Sequence, residues 1–109
     1  MITHNTTQQT ISNEERFCNT FLSQAIGLMF RPKQNLVMAF NKEKKIFLHM
    51  FFVFYPIDVL LLNEHKEIVE IKRNFKPFTF WNSKEKGKYV VELAFPEEYK
   101  VGDRVEIKV

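Results

Sequence analysis

The plainest pattern lies at the end of the chain, where Val105, Ile107 and Val109 alternate with Arg104, Glu106 and Lys108. A two-residue period of this kind belongs to a strand with one face on a core and the other in water. Upstream, Tyr89, Val91, Leu93 and Phe95 repeat on one face of a second strand, and Glu92 on the other face predicts exposure there. Residues 46–54 show no alternation, which predicts a central strand covered on both sides. Turn-forming residues recur at 41–45, around Pro56, and at 63–66, 83–87 and 101–103. Their spacing predicts a mainly β fold, α+β at the margin, built as a compact β-sandwich or barrel. One segment departs from the pattern. Asn19 or Thr20 can cap a helix carrying Phe21, Leu22, Ala25, Ile26, Leu28 and Met29, and Pro32 stops it. This predicts one short helix near the N-terminus. Residues 2–12, rich in Thr and Gln with only Ile2 and Ile11 as apolar anchors, predict a frayed tail or an edge strand. The expected division is a polar tail or edge strand over 1–13 and a single β-rich domain over 14–109.

Length and composition narrow this reading. The chain has 109 residues, room for one core, and is 45% hydrophobic with twelve Phe, enough apolar surface to close it. Cys18 is the single cysteine, so no internal disulfide forms and a reducing cytosol fits best. The first fifteen residues have neither the basic start nor the apolar stretch of a secretory signal. The longest apolar run, residues 46–62, is broken by His49, Pro56 and Asp58 and falls short of the roughly 18 to 20 residues that span a bilayer. A cytoplasmic protein without a membrane partner is expected. The net charge of +3 permits an anionic partner without arguing for one.

Several motifs occur in a recognisable order. Ala25-Ile26-Gly27-Leu28-Met29-Phe30-Arg31 is followed by His49-Met50-Phe51-Phe52-Val53 and Pro56-Ile57-Asp58-Val59. Val69-Glu70-Ile71, Pro77, Tyr89-Val90-Val91-Glu92-Leu93 and Gly102-Asp103-Arg104-Val105 complete the series. Together they resemble the uncharacterised prokaryotic family known as domain of unknown function 192, over roughly residues 16–109. Where many members have Trp-Met-Lys-Asn-Thr before a Pro-Leu-Asp motif, this chain has the His49 to Val53 variant. The resemblance implies a compact, mostly β fold with a small helix, and it implies no established reaction.

Asp58 is the most informative polar residue, because an isolated carboxylate among Ile57 and residues 59–62 is costly to bury without a partner. Arg31 is the candidate to hold it bidentately, with backbone N–H groups near Pro56 as the alternative. His49, inside an apolar run, is a general base, a metal ligand or, most commonly for such a residue, a satisfied core histidine. If Arg31, His49 and Asp58 converge, they form a polar pocket in an aromatic wall, suited to a small polar or anionic ligand such as a sugar or organic acid. With no second His or Cys at ligand spacing, no metal site is expected, and no cofactor motif is present. Met29 and Met50 are read as core fillers and Cys18 as an inert thiol.

Residues 72–88 interleave Lys72, Arg73, Lys76, Lys84, Lys86 and Lys88 with Phe75, Phe78, Phe80 and Trp81, against Glu85 alone. Single-strand binders use this mixture, and so does an ordinary solvated loop whose rings fold back on the core. The first expectation is a binding module for a small polar or anionic ligand, with no catalytic residue assigned. The alternative is a protein- or nucleic-acid-interaction module using Phe75, Lys76, Phe78, Trp81 and Lys84. An enzyme built on His49 and Asp58 is the third reading, and no nucleophile, metal cluster or cofactor loop accompanies it.

Overall fold

The computed structural model describes residues 2–4, 10–12, 15–18, 34–50, 53–94 and 97–107. Among these the fold is mainly β, with the strands β1 (Ile2–His4), β2 (Thr10–Ser12), β3 (Glu15–Cys18), β4 (Asn35–His49), β5 (Ile57–Leu62), β6 (Ile68–Phe75), β7 (Phe80–Leu93) and β8 (Val105–Ile107). They form a three-stranded sheet in the order β2-β1-β8 and a five-stranded sheet in the order β3-β4-β7-β5-β6, a compact sandwich-like arrangement. β3 and β4 pair in parallel, with residues 19–34 between them in the sequence. The helix expected between Asn19 and Pro32 falls in that interval, outside the described residues.

Two apolar layers explain the sandwich. Ile57, Val59 and Leu61 of β5 pack with Leu36, Met38, Ile46, Leu48 and Val90, whereas Leu60 and Leu62 pack with Ile2, Val37, Val91, Leu93, Tyr99 and Val105. Every β5 residue is buried, so this strand is covered on both faces. Its five apolar side chains contribute on the order of 10 kcal/mol before chain entropy is counted. Ile2 joins the second layer, and β1 is the central strand of its sheet, so β1 enters the fold through Ile2.

Three local expectations are corrected. The described part of residues 46–54 is not covered on both sides: Ile46 and Leu48 point inward while Phe47 and Phe54 are exposed. Nor do residues 41–45 and 83–87 turn the chain, because β4 and β7 run through them. The register shifts between Ala39↔Tyr89 and Lys44↔Gly87, and again between Lys45↔Lys86 and Phe47↔Asn82. Polar residues and glycine marked bulges there, which share the composition of turns. Gly87 is required for space: a Cβ on it would lie 2.2 Å from Leu61 Cδ1. Glu92, finally, is buried, because it stands between Leu36 of β4 and Val59 of β5.

Other expected turns are present. Between β5 and β6, Asn63 Oδ1 accepts the N–H groups of His65 and Glu67 at 2.9 and 3.0 Å. Before β8, Gly102 takes a φ of 96°, a left-handed conformation that glycine adopts without penalty.

Candidate functional site

Asp58 lies opposite a bulge. Ile57 pairs with Phe75 and Val59 with Lys72, so Arg73 and Asn74 together face the single residue Asp58. Asn74 takes a φ of 51°, which Asn tolerates better than most side chains. Its N–H donates to Asp58 Oδ1 at 2.9 Å. Asp58 Oδ2 accepts Arg73 Nη1–H at 3.1 Å and the Tyr99 hydroxyl. Arg73 also donates through Nη2 to the Tyr99 carbonyl at 2.8 Å, and its guanidinium sits 4.4 Å from the centre of the Tyr99 ring. Burial, and then the hydrogen bond to Asp58, push the Tyr99 hydroxyl pKa well above its ordinary 10.0. The carboxylate is therefore committed to a clasp that holds the segment before β8 against β5 and β6.

This arrangement answers Asp58 with Arg73. Arg31 lies outside the described residues. His49 pairs with Phe80 and Asp58 with Leu93, at the two ends of β7, so the register does not set these residues side by side. His49 itself is half-buried at the end of β4.

The expected partner surface divides. Phe75 is a core residue at 1% exposure and cannot meet a partner, and Trp81 is half-buried against the same core. Lys76, Phe78 and Lys84 are exposed. Beside them are rings that the sequence did not single out as a group. Phe47 and Phe80, 58% and 61% exposed, stack across β4 and β7 with centres 6.1 Å apart and planes at 28°. Phe54 and Phe78 meet edge-on at 5.8 Å. The available signal was Phe47's place between the inward-facing Ile46 and Leu48.

Further along the same two strands, residues 83–85 of β7 bulge against Ile46 alone. Ser83 Oγ replaces the missing ladder partner: it accepts Ile46 N–H at 2.8 Å and donates to the Glu85 carbonyl at 2.8 Å. From the other side, Glu70 Oε1 accepts the N–H groups of Lys84 and Glu85, each at 2.8 Å. The braced bulge sets Lys84 and Lys86 beside Lys45, which is directly opposite Lys86 in register. All three lysines line an open depression of about 600 Å³, along with Glu43, Glu64, His65 and Glu85. Glu43 accepts the N–H of Glu64 at 2.8 Å, and the Glu64 carboxylate lies 3.6 Å from His65 Nε2. None of the three lysines forms an ion pair among the described residues. Like charges directly opposed across strands are destabilising, so folding gains nothing from this arrangement.

Among the described residues there is no helix long and apolar enough to cross a membrane, and no group of three or more His, Cys, Asp or Glu that could hold a metal ion.

A family model described as "Uncharacterized ACR" matches residues 2–107. A UPF0127 protein from Pyrococcus furiosus is 36% identical over 100 residues, covering 85% of this chain and 85% of its own length. Another, from Pyrococcus horikoshii, is 30% identical over 95 residues, covering 84% of this chain and 82% of its own. A crystal structure of a protein of unknown function from Novosphingobium aromaticivorans has a TM-score of 0.75 at 21% identity. That match covers 85% of this chain and 74% of the other, and it shows a shared fold.

Proposed function

This chain belongs to the domain of unknown function 192 family, and we propose that it is a binding module for an anionic ligand held on the outer face of β4 and β7. The observation that carries the reading is the trio Lys45, Lys84 and Lys86 around one depression, two of them opposed in register and none in an ion pair among the described residues. The bulge that presents them is held by Ser83 on one side and Glu70 on the other, so the backbone beneath the charges is fixed before any ligand arrives. Asp58, whose oxygens already accept from Arg73, Asn74 and Tyr99, is better explained by folding than by chemistry. This favours binding over catalysis.

Magnitude decides what kind of anion fits. An exposed ion pair contributes up to about 1 kcal/mol, so three contacts supply at most about 3 kcal/mol, and Glu43, Glu64 and Glu85 on the same lining reduce it, which is weaker than millimolar binding for a simple anion. A ligand with several linked charges is required. The test is a thermal-shift titration with tripolyphosphate at low salt and at about 200 mM salt, on the intact chain and on the K45A/K84A/K86A variant. The midpoint should rise at low salt, rise less at high salt, and stay unmoved in the variant. No shift, or a shift that survives the triple substitution, overturns the reading.

A further inference from the structure

We infer that the anionic ligand is single-stranded nucleic acid, laid along β4 and β7 with bases on Phe47 and Phe80 and phosphates over Lys45, Lys84 and Lys86. This deepens the proposed function and rests on it. Alternate residues of a strand share a face about 7 Å apart. Lys45 and Phe47 are such a pair on β4 and Phe80 and Asn82 on β7, and the bulge that follows Asn82 presents Lys84, all of them exposed. Aromatic faces and cations therefore succeed one another along one ribbon, as an alternating chain of bases and phosphates requires. Asn82, directly opposite Phe47, adds an amide able to hydrogen-bond a base edge.

Two further observations favour this ligand. Phe47 and Phe80 stack on each other with more than half of each residue still in water, a platform that unpaired bases match. The sequence has no acidic residue between Glu43 and Asp58 or between Glu70 and Glu85, and those intervals carry Lys44, Lys45, Lys72, Arg73, Lys76 and Lys84. A protein partner is disfavoured by the same feature, since protein interface cores are enriched in aromatics but depleted in lysine.

The test measures fluorescence anisotropy of a labelled oligothymidylate of about twelve nucleotides with the full chain, in parallel with tripolyphosphate binding by calorimetry. Removing both rings in F47A/F80A should weaken the oligonucleotide by about 10- to 100-fold and leave tripolyphosphate unchanged. F47L/F80L, which keeps apolar area without an aromatic face, should show the same loss. K45A/K84A/K86A should weaken both ligands and reduce the slope of log K against log salt by about 2, at roughly 0.7 per phosphate contact. Tripolyphosphate binding without oligonucleotide binding, or oligonucleotide binding indifferent to the rings, overturns the nucleic-acid inference and leaves the anion site standing. If neither ligand binds, both fall. If the ring substitutions change only the oligomeric state in sedimentation, the rings serve a protein contact and the inference is overturned.

Discussion

Replacing Asp58 by Ala leaves three donors around a small cavity. Two of them are costly: the Asn74 N–H and the Tyr99 hydroxyl lose their acceptor in a site where the Asp58 side chain is 6% exposed. An unsatisfied buried donor costs about 1–3 kcal/mol. Arg73 is half in water, keeps its bond to the Tyr99 carbonyl, and rehydrates at a cost under about 1 kcal/mol. Allowing for water entering the cavity, the loss should be about 3 kcal/mol, or about 12–20 °C in melting temperature for a domain of this size. Urea unfolding followed by Trp81 fluorescence reads this directly, with the m-value unchanged. Tyr99→Phe in the same series should show a coupling with Asp58→Ala of about 1 kcal/mol or more. A loss below about 1 kcal/mol for Asp58→Ala, or strict additivity with Tyr99→Phe, would refute the clasp.

Other consequences are as direct. Gly87→Ala forces a methyl into Leu61 and should cost about 1–3 kcal/mol in chemical denaturation; if it is neutral, the close approach of β7 to β5 is wrong. Tyr99 keeps its proton in the fold to higher pH than in the unfolded chain, so its contribution is complete below about pH 10 and is lost as pH climbs towards the raised folded value. Tyr55, also raised by burial, acts in the same direction, so the measurement is the difference in alkaline stability between the parent and Tyr99→Phe, and identical slopes would contradict it. F47A/F80A should change stability by no more than about 0.5 kcal/mol per site, as expected of rings that serve binding; a loss of several kcal/mol would make them structural.

What the sequence disclosed follows the range of the interactions involved. The alternation of residues 104–107 correctly placed Val105 inside with Arg104 and Glu106 outside, because it depends on strand geometry alone. Asp58's need for partners was equally legible from its apolar neighbours. Their identity was not, since Arg73 is 15 residues away and Tyr99 41, joined only by the β5–β6 register and the return of the chain before β8. Bulges at 39–44 and 83–85 carry the same polar and glycine residues as turns, and nothing local separates the two. The site was half visible for a related reason. Lys84, Lys86 and Phe80 lie within the basic aromatic stretch of 72–88, whereas Lys45 and Phe47 become their neighbours only through the pairing of β4 with β7. Phe75, in that stretch too, points into the core because it ends β6 opposite Ile57.

The most direct test of the account is a titration of isotopically labelled protein with tripolyphosphate, followed by backbone amide chemical shifts. The proposed site predicts the largest perturbations at Lys45, Lys84, Glu85 and Lys86, saturating together, with Arg73, Asn74 and Tyr99 unmoved. Perturbations centred on the Asp58 clasp, or none anywhere, would contradict it.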